Sequence, residues 1–244
     1  MKNYKFTIMY DGTRYYGWQK QPDQNTIQGN MEKVVSELCG EKTEVFGAGR
    51  TDAGVHARAM CATARFHTRL NEKEIRDELN RLLPDDIVVT NVERISNKFH
   101  ARYSATGKTY CYTCYYGENK PVWKRRFVNC LDKKPDLELM RRAAKVLQGE
   151  HDFKNFSINP QMKKLTVRIV DRIDIKEENG YYSFSFHGNG FLQNMVRILT
   201  GTLLEAGYGK INTEDIIMAL NSEERMKGGP TAPALGLCLE KVDY

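Results

Sequence analysis

The sequence lacks long apolar runs. Nowhere in its 244 residues do about 18 consecutive apolar residues occur, the length that a transmembrane helix needs. Its first residues contain no apolar segment of a secretory signal, and no low-complexity tract interrupts the chain. At 41% hydrophobic and 28% charged residues, the composition is that of a soluble globular protein. We therefore expect a cytoplasmic protein that does not bind membranes.

Cysteines are few and irregularly spaced. Six in a chain of this length do not suggest a disulfide scaffold. Cys111 and Cys114 form the single C-x-x-C pair, and no second pair lies at zinc-site spacing, so we expect ordinary buried thiols. The sequence thus predicts reduced cysteines and no metal site.

The excess of positive charge is modest. With 37 Lys and Arg against 31 Asp and Glu, the formal net charge is +6. This permits a polyanionic partner such as RNA without requiring one, because phosphate is attracted by clustering and not by the total. Basic residues cluster at Lys124-Arg125-Arg126, at Arg141-Arg142, and at Lys163-Lys164 followed by Arg168 and Arg172. Each cluster alone is better explained as an ordinary solvated surface.

Hydrophobic periodicity predicts an α+β fold of two similar halves, residues 1–103 and 104–244. Predicted strands lie at 5–10, 44–46, 59–67, 87–92, 109–116, 167–175, 181–186 and 237–242. Predicted helices lie at 27–39, 72–83, 136–147, 191–206 and 214–220. We expect antiparallel sheets flanked by helices, with an active-site cleft between the halves.

The most unusual segment is a glycine-rich loop, residues 47–56. Its G-x-G-x-x-x-x-G spacing is not a dinucleotide fingerprint, and it lacks the Lys-Ser/Thr ending of a phosphate-binding loop. The glycines allow bends that lift Arg50 and Asp52 out of the sheet. A carboxylate near an arginine can be held ionised and aimed, as a nucleophile must be. The ordinary alternative is an Asx turn made by Asp52.

The run Gly49-Arg50-Thr51-Asp52-Ala53-Gly54-Val55-His56-Ala57 resembles the active-site loop of the tRNA pseudouridine synthase A family. Further stretches resemble that family in the same order along the chain. They are Tyr10-Asp11-Gly12-Thr13, Gly17-Trp18-Gln19, Thr26-Ile27-Gln28-Gly29, Ala101-Arg102-Tyr103-Ser104-Ala105, Gly188-Asn189-Gly190-Phe191-Leu192-Gln193-Asn194-Met195-Val196-Arg197, Pro230-Thr231-Ala232-Pro233 and Gly236-Leu237. The resemblance therefore extends from the first predicted strand to the last.

This resemblance implies the pseudouridine synthase fold and an isomerase that converts uridine to pseudouridine in the anticodon stem-loop of tRNA, at positions 38, 39 and 40. The reaction breaks the N1 glycosidic bond, turns the uracil and joins C5 to the sugar. It needs neither redox chemistry nor external energy, so no cofactor is implied. The resemblance also implies a homodimer that binds tRNA. Two alternatives stay open: the same chemistry on a ribosomal or other RNA, and a catalytically silent RNA-binding protein.

The resemblance also implies roles for five residues. Asp52 is the nucleophile, which either attacks the uracil ring or promotes a glycal route. Arg50 pairs with Asp52 or fills the gap that a flipped base leaves, unless it forms a loop-fixing salt bridge. Tyr110 stacks on the target uracil and removes a proton, and Leu237 packs against that uracil. Arg197 reaches Asp52. From the residues alone, Tyr110 and Leu237 are more typical of core packing, and the alternative for Arg197 is a solvated position on the helix rim.

Overall fold

The computed structural model describes residues 1–158, 166–222 and 228–244, so the basic pair Lys163-Lys164 lies outside the described residues. The strands are β1 (Lys2–Tyr10), β2 (Phe46–Gly47), β3 (His56–Phe66), β4 (Ile87–Ile95), β5 (Gly107–Tyr115), β6 (Asn129–Cys130), β7 (Gly149–Asp152), β8 (Val167–Val170), β9 (Arg172–Glu178), β10 (Tyr181–Gly188) and β11 (Leu237–Asp243). The helices are α1 (Ile27–Cys39), α2 (Glu72–Leu82), α3 (Leu137–Leu147), α4 (Met195–Gly207) and α5 (Thr213–Asn221). Strands and helices together confirm the predicted α+β class.

The chain forms two compact units. The first contains Met1–Thr106 and Cys238–Tyr244, and the second contains Gly107–Leu237. Among the described residues, no helix is both long and apolar enough to cross a membrane.

The sheet of the first unit has the strand order β4-β1-β3-β11, and β2 also pairs with β3. β1 is antiparallel to both β3 and β4, whereas the short pairing of β11 with β3 is parallel. Along β1 the side chains of Tyr4, Phe6, Ile8 and Tyr10 are buried, as the two-residue period of a strand with one buried face requires. This face forms the core of the unit.

The helices of the first unit lie where the sequence predicts them, with α1 over the predicted residues and α2 one residue shorter at its end. The Thr26 side chain caps α1 by accepting a hydrogen bond from the Gly29 N–H, and Gly40 ends the helix in the left-handed conformation. A reciprocal capping box between Asn71 and Glu74 begins α2. α2 packs on β4 and on α1.

In the second unit β5, β10 and β9 form an antiparallel sheet, in that order, and β6 pairs with β5. The predicted hairpin turn at Asn179-Gly180 is confirmed, because both residues have the positive φ angles, 52° and 81°, of a two-residue hairpin turn. Helix α3 packs on β9 and on the helices α4 and α5.

Two predicted elements of this unit are wrong in their limits. The strand predicted over 167–175 is interrupted at Asp171, since β8 pairs with β7 in a separate two-stranded sheet while β9 joins β10. The helix predicted from Phe191 begins only at Met195, because Asn194 takes a left-handed conformation that α-helical residues do not adopt. Helix α4 is then buried on almost every side.

Candidate active site

The glycine-rich loop connects β2 to β3 in the first unit, and Thr51 anchors it. The main-chain carbonyl of Thr51 accepts a hydrogen bond from the Trp18 N–H at 3.1 Å, and its buried hydroxyl lies 2.8 Å from the Tyr10 hydroxyl. The next residue, Asp52, is half-buried. Its main-chain carbonyl accepts a hydrogen bond from the Val55 N–H at 3.1 Å, which closes a β-turn. The turn is thus closed by a main-chain hydrogen bond.

The segment that follows β1 is hydrogen-bonded to this loop. The Gly12 N–H donates a hydrogen bond to Nδ1 of the buried His56 at 3.0 Å, and Oδ1 of Asp11 lies 3.2 Å from the same nitrogen. The fit is close, because a Cβ atom on Gly12 would lie 2.0 Å from the carbonyl oxygen of Val55. Two separate stretches of the sequence therefore form one structural assembly around Asp52.

Arg50 lies in the same loop and is exposed. Its guanidinium forms no hydrogen bond or ion pair with any residue that the structure describes, so the loop-fixing salt bridge considered from the sequence is not observed in that part of the chain. The first unit thus presents an exposed cation two residues from a half-buried carboxylate.

Tyr110 lies in the second unit, in the middle of β5. It shares one face of the strand with Tyr112 and Cys114, and all three side chains are buried. The Tyr110 ring meets the ring of Phe191 edge to face, with 5.4 Å between the centroids. Because Phe191 belongs to the stretch 188–197, the structure joins two of the sequence motifs at this ring.

Arg197 lies in the first turn of α4 and is half-buried. Its Nε donates a hydrogen bond to the Ala232 carbonyl at 2.7 Å, and its Nη1 donates one to Oδ1 of Asn194 at 2.6 Å. A cation in a first turn stands at the positive end of the helix dipole, where it is unfavourable for helix stability. The guanidinium is therefore held in a defined orientation and is not a solvated group on the rim. Its predicted pairing with Asp52 stays a prediction.

The residues that fix Arg197 in place lie in two of the stretches that resemble the family, but the sequence did not assign them this role. The Ala232 N–H donates to the Arg197 carbonyl at 3.1 Å, so the stretch 230–233 is bound to α4 in both directions. The buried Tyr112 hydroxyl donates to the Pro233 carbonyl at 2.8 Å, and burial raises the pKa of Tyr112 well above its usual value. Tyr112 is thus a protonated structural donor.

Leu237 is buried and begins β11 directly after the turn Ala234–Gly236. A core residue and a residue that lines a base-binding surface can both be buried, so burial does not distinguish these two roles. The predicted contact of Leu237 with uracil therefore stays a prediction. Arg50 and Asp52 belong to the first unit, whereas Tyr110, Arg197 and Leu237 belong to the second.

The six cysteines are free thiols. Burial raises the pKa of Cys61 to about 11 and that of Cys114 to about 12, so both thiols are protonated at neutral pH. A protonated thiol is a poor nucleophile and a poor metal ligand. Cys114 is buried, as the sequence predicts, whereas Cys111 of the same pair is only half-buried.

Comparisons with known proteins match the whole chain. A protein-family model described as "tRNA pseudouridine synthase" matches residues 7–104 and 143–244. The chain is 44% identical to "tRNA pseudouridine synthase A 2" of Clostridium perfringens, 43% identical to the protein of that name in Bacillus thuringiensis subsp. konkukian, and 42% identical to "tRNA pseudouridine synthase A" of Clostridium acetobutylicum. Each alignment covers 100% of both chains.

One solved structure is similar at a much lower level. A chain in the crystal structure of a Cbf5–Nop10–Gar1 complex matches with a TM-score of 0.36 and 12% identity. The match covers 96% of this chain and 57% of that one. A likeness this weak carries no argument about fold or function.

Proposed function

Because the chain belongs to the tRNA pseudouridine synthase family, we propose that it converts uridines 38, 39 and 40 in the anticodon stem-loop of tRNA to pseudouridine. The membership itself makes the chain a pseudouridine-forming isomerase of tRNA. The choice of the anticodon stem-loop is supported by full-length similarity to proteins named tRNA pseudouridine synthase A.

The observation that carries this proposal is the fixed position of Asp52. Thr51 before it and Val55 after it are both held by hydrogen bonds, and the residue itself is only half-buried. A nucleophile needs this combination of a fixed position and access to the substrate. Asp52 acts as the nucleophile on the uracil ring or on the route through a glycal, and both require an ionised carboxylate.

Arg50 has a different role in the proposal. Since its guanidinium is exposed and makes no hydrogen bond or ion pair among the described residues, it is available to the RNA. A uridine within a stem must leave the base stack before its C1′ can be reached. Arg50 fills the space that the flipped uridine leaves and contacts the neighbouring phosphates.

The second unit supplies three further residues. Tyr110 stacks on the target uracil and accepts the proton that leaves C5, and Leu237 packs against the ring. Arg197 stabilises the negative charge of the nucleophile. The edge-to-face contact with Phe191 supports the role of Tyr110, because it fixes the plane of the tyrosine ring.

Gly17 lies close to the Thr51–Asp52 backbone, and we call this contact the brace. Replacing Gly17 with alanine tests whether the brace matters for activity. Gly17 has φ +84°, and a Cβ atom there would lie 2.5 Å from the Thr51 carbonyl oxygen. Gly40 has a similar φ of +72° but nothing within 4 Å, so Gly40→Ala is the matched control. We expect both variants to lose about 1–2 kcal/mol of unfolding free energy, because alanine is strained at positive φ.

Only Gly17→Ala should also lose kcat, by about 10- to 100-fold, because the clash displaces the Thr51–Asp52 backbone. Thermal unfolding and single-turnover pseudouridine formation measure the two effects. Equal kcat values for the two glycine variants would show that the brace does not position Asp52.

The proposal is tested by mapping pseudouridine in cellular tRNA and rRNA, with and without the gene. We expect the modification to disappear from tRNA positions 38 to 40 alone. Loss from rRNA instead would favour the same chemistry on another substrate. A deletion phenotype that an Asp52→Ala gene rescues fully would favour a silent RNA-binding protein.

We also propose that the protein is a cytoplasmic homodimer. The proposal is supported by the family resemblance and by the tRNA substrate. Light scattering of the purified protein with and without tRNA measures the oligomeric state, and a monomer in both conditions would contradict the dimer.

A further inference from the structure

Residues 122–127 form an exposed segment whose composition is unusual for a protein surface. Val122, Trp123 and Phe127 are 61%, 95% and 45% exposed, and the three residues between them are Lys124, Arg125 and Arg126, all exposed. Large apolar side chains rarely stay in water in a cluster unless they bind something. We call this segment the Trp123 platform.

The platform has a defined backbone. Val122–Lys124 forms one turn of 3₁₀ helix, and the Phe127 N–H donates to the Lys124 carbonyl at 2.8 Å. The Lys124 ammonium lies over the Tyr181 ring, 4.3 Å from its centroid, which ties the segment to β10. The Arg125 guanidinium donates a hydrogen bond to the Val122 carbonyl at 3.2 Å. The indole is therefore presented on an ordered segment.

We infer that the Trp123 platform binds the tRNA substrate, with the indole stacked on an unpaired base and the adjacent cations on phosphates. This inference rests on the proposed function, which supplies RNA as the partner. Three consecutive basic residues oppose a basic partner and attract a polyanion. Aromatic rings combined with Lys and Arg are the usual surface for unpaired nucleotides, because every base has a face for stacking.

Tryptophan fluorescence tests the platform directly. The chain has two tryptophans, and Trp18 is 2% exposed, so iodide in solution reaches only Trp123. We expect bound tRNA to quench the Trp123 emission and to protect it from iodide. Trp123→Phe retains only Trp18 and gives the background signal to subtract. If tRNA changes neither the Trp123 emission nor its quenching by iodide, the inference is overturned.

Affinity measurements test the energetic part. We expect Trp123→Ala to weaken tRNA binding about 5- to 100-fold, the range of losing one base–aromatic stack, and Trp123→Phe to bind nearly as wild type. Because Trp123 is 95% exposed, neither variant should change thermal unfolding. If Trp123→Ala instead changes the oligomeric state and leaves the tRNA affinity intact, the platform is a protein contact and the inference fails.

The charges are tested with a matched pair of double variants. Arg125→Gln with Arg126→Gln should lower the slope of log affinity against log salt by about 2, one unit for each lost phosphate contact. Arg69→Gln with Lys73→Gln removes the same charge from exposed positions outside the basic clusters and should leave the slope unchanged. Equal effects of the two pairs would show a general charge effect and would overturn the inference.

The assay of wild-type turnover separates this inference from the proposed function. If the wild-type protein forms pseudouridine but tRNA does not affect Trp123, the inference about the platform is wrong and the proposed function is retained. If tRNA protects Trp123 but no pseudouridine forms in any tRNA, the function fails and the RNA-binding surface stands.

Discussion

The Asp52→Asn variant should form no measurable pseudouridine while it still binds tRNA. Asparagine has the same shape as aspartate, and the β-turn at this position is closed by the main-chain carbonyl, so the loop keeps its backbone. The substitution removes the negative charge and the nucleophilic oxygen. Removal of a nucleophile reduces turnover by about 10⁴-fold or more in well-studied enzymes. Single-turnover assays with excess enzyme measure the loss, and a filter-binding assay measures the retained affinity.

Asp85→Asn is the control for this substitution. It makes the same chemical change at a side chain that is 96% exposed, and we expect wild-type turnover. Measurable pseudouridine formation by purified Asp52→Asn protein, at more than background, would contradict the assignment of the nucleophile. Loss of tRNA binding together with turnover would show that Asp52 acts in binding and not in chemistry.

The second large effect is expected for Arg197. Its guanidinium is held by the Ala232 carbonyl and the Asn194 side chain, and it stands in the first turn of α4, where a cation does not favour the helix. A residue that destabilises its own helix is expected to make a functional interaction outside that helix. We expect Arg197→Ala to lower kcat by about 10²- to 10³-fold, the effect of removing one group that stabilises charge in the transition state, with a smaller change in KM.

Two further variants separate chemistry from support at this site. Arg197→Lys keeps the charge but cannot form both hydrogen bonds, so we expect it to recover little of the rate. Asn194→Gly removes the amide acceptor and still allows the φ of 59° observed there. We expect a kcat between those of the wild type and Arg197→Ala. Near-normal single-turnover rates for Arg197→Ala would show that the arginine contributes only to structure.

Much of the local structure could be predicted from the sequence, because the signals are local. Thr26 and Gly40 define α1 through capping groups and a left-handed end, and these depend on single residues. The alternation of apolar residues in β1 likewise depends on the period of a strand. The glycine-rich loop could be proposed as catalytic from its resemblance to a family, whereas its residues alone are more typical of an Asx turn.

What could not be predicted depends on contacts between distant residues. The apolar period of α4 continues backward through Leu192, yet the helix begins at Met195 because Asn194 turns the backbone and Phe191 packs on Tyr110 instead. β7 has no strand signal in its polar sequence and forms through its pairing with β8. The exposure of Trp123 could not be predicted either, because a tryptophan in a sequence is usually expected to be buried.

Position-resolved mapping of pseudouridine in an unmodified tRNA transcript tests the proposed reaction, its substrate and its nucleophile together. The transcript is incubated with purified wild-type protein or with Asp52→Asn protein, and no nucleotide or cofactor is added. We predict pseudouridine at positions 38, 39 or 40 wherever the transcript has a uridine there, and none with Asp52→Asn. Folded wild-type protein that binds the transcript and leaves every uridine unchanged would contradict the account.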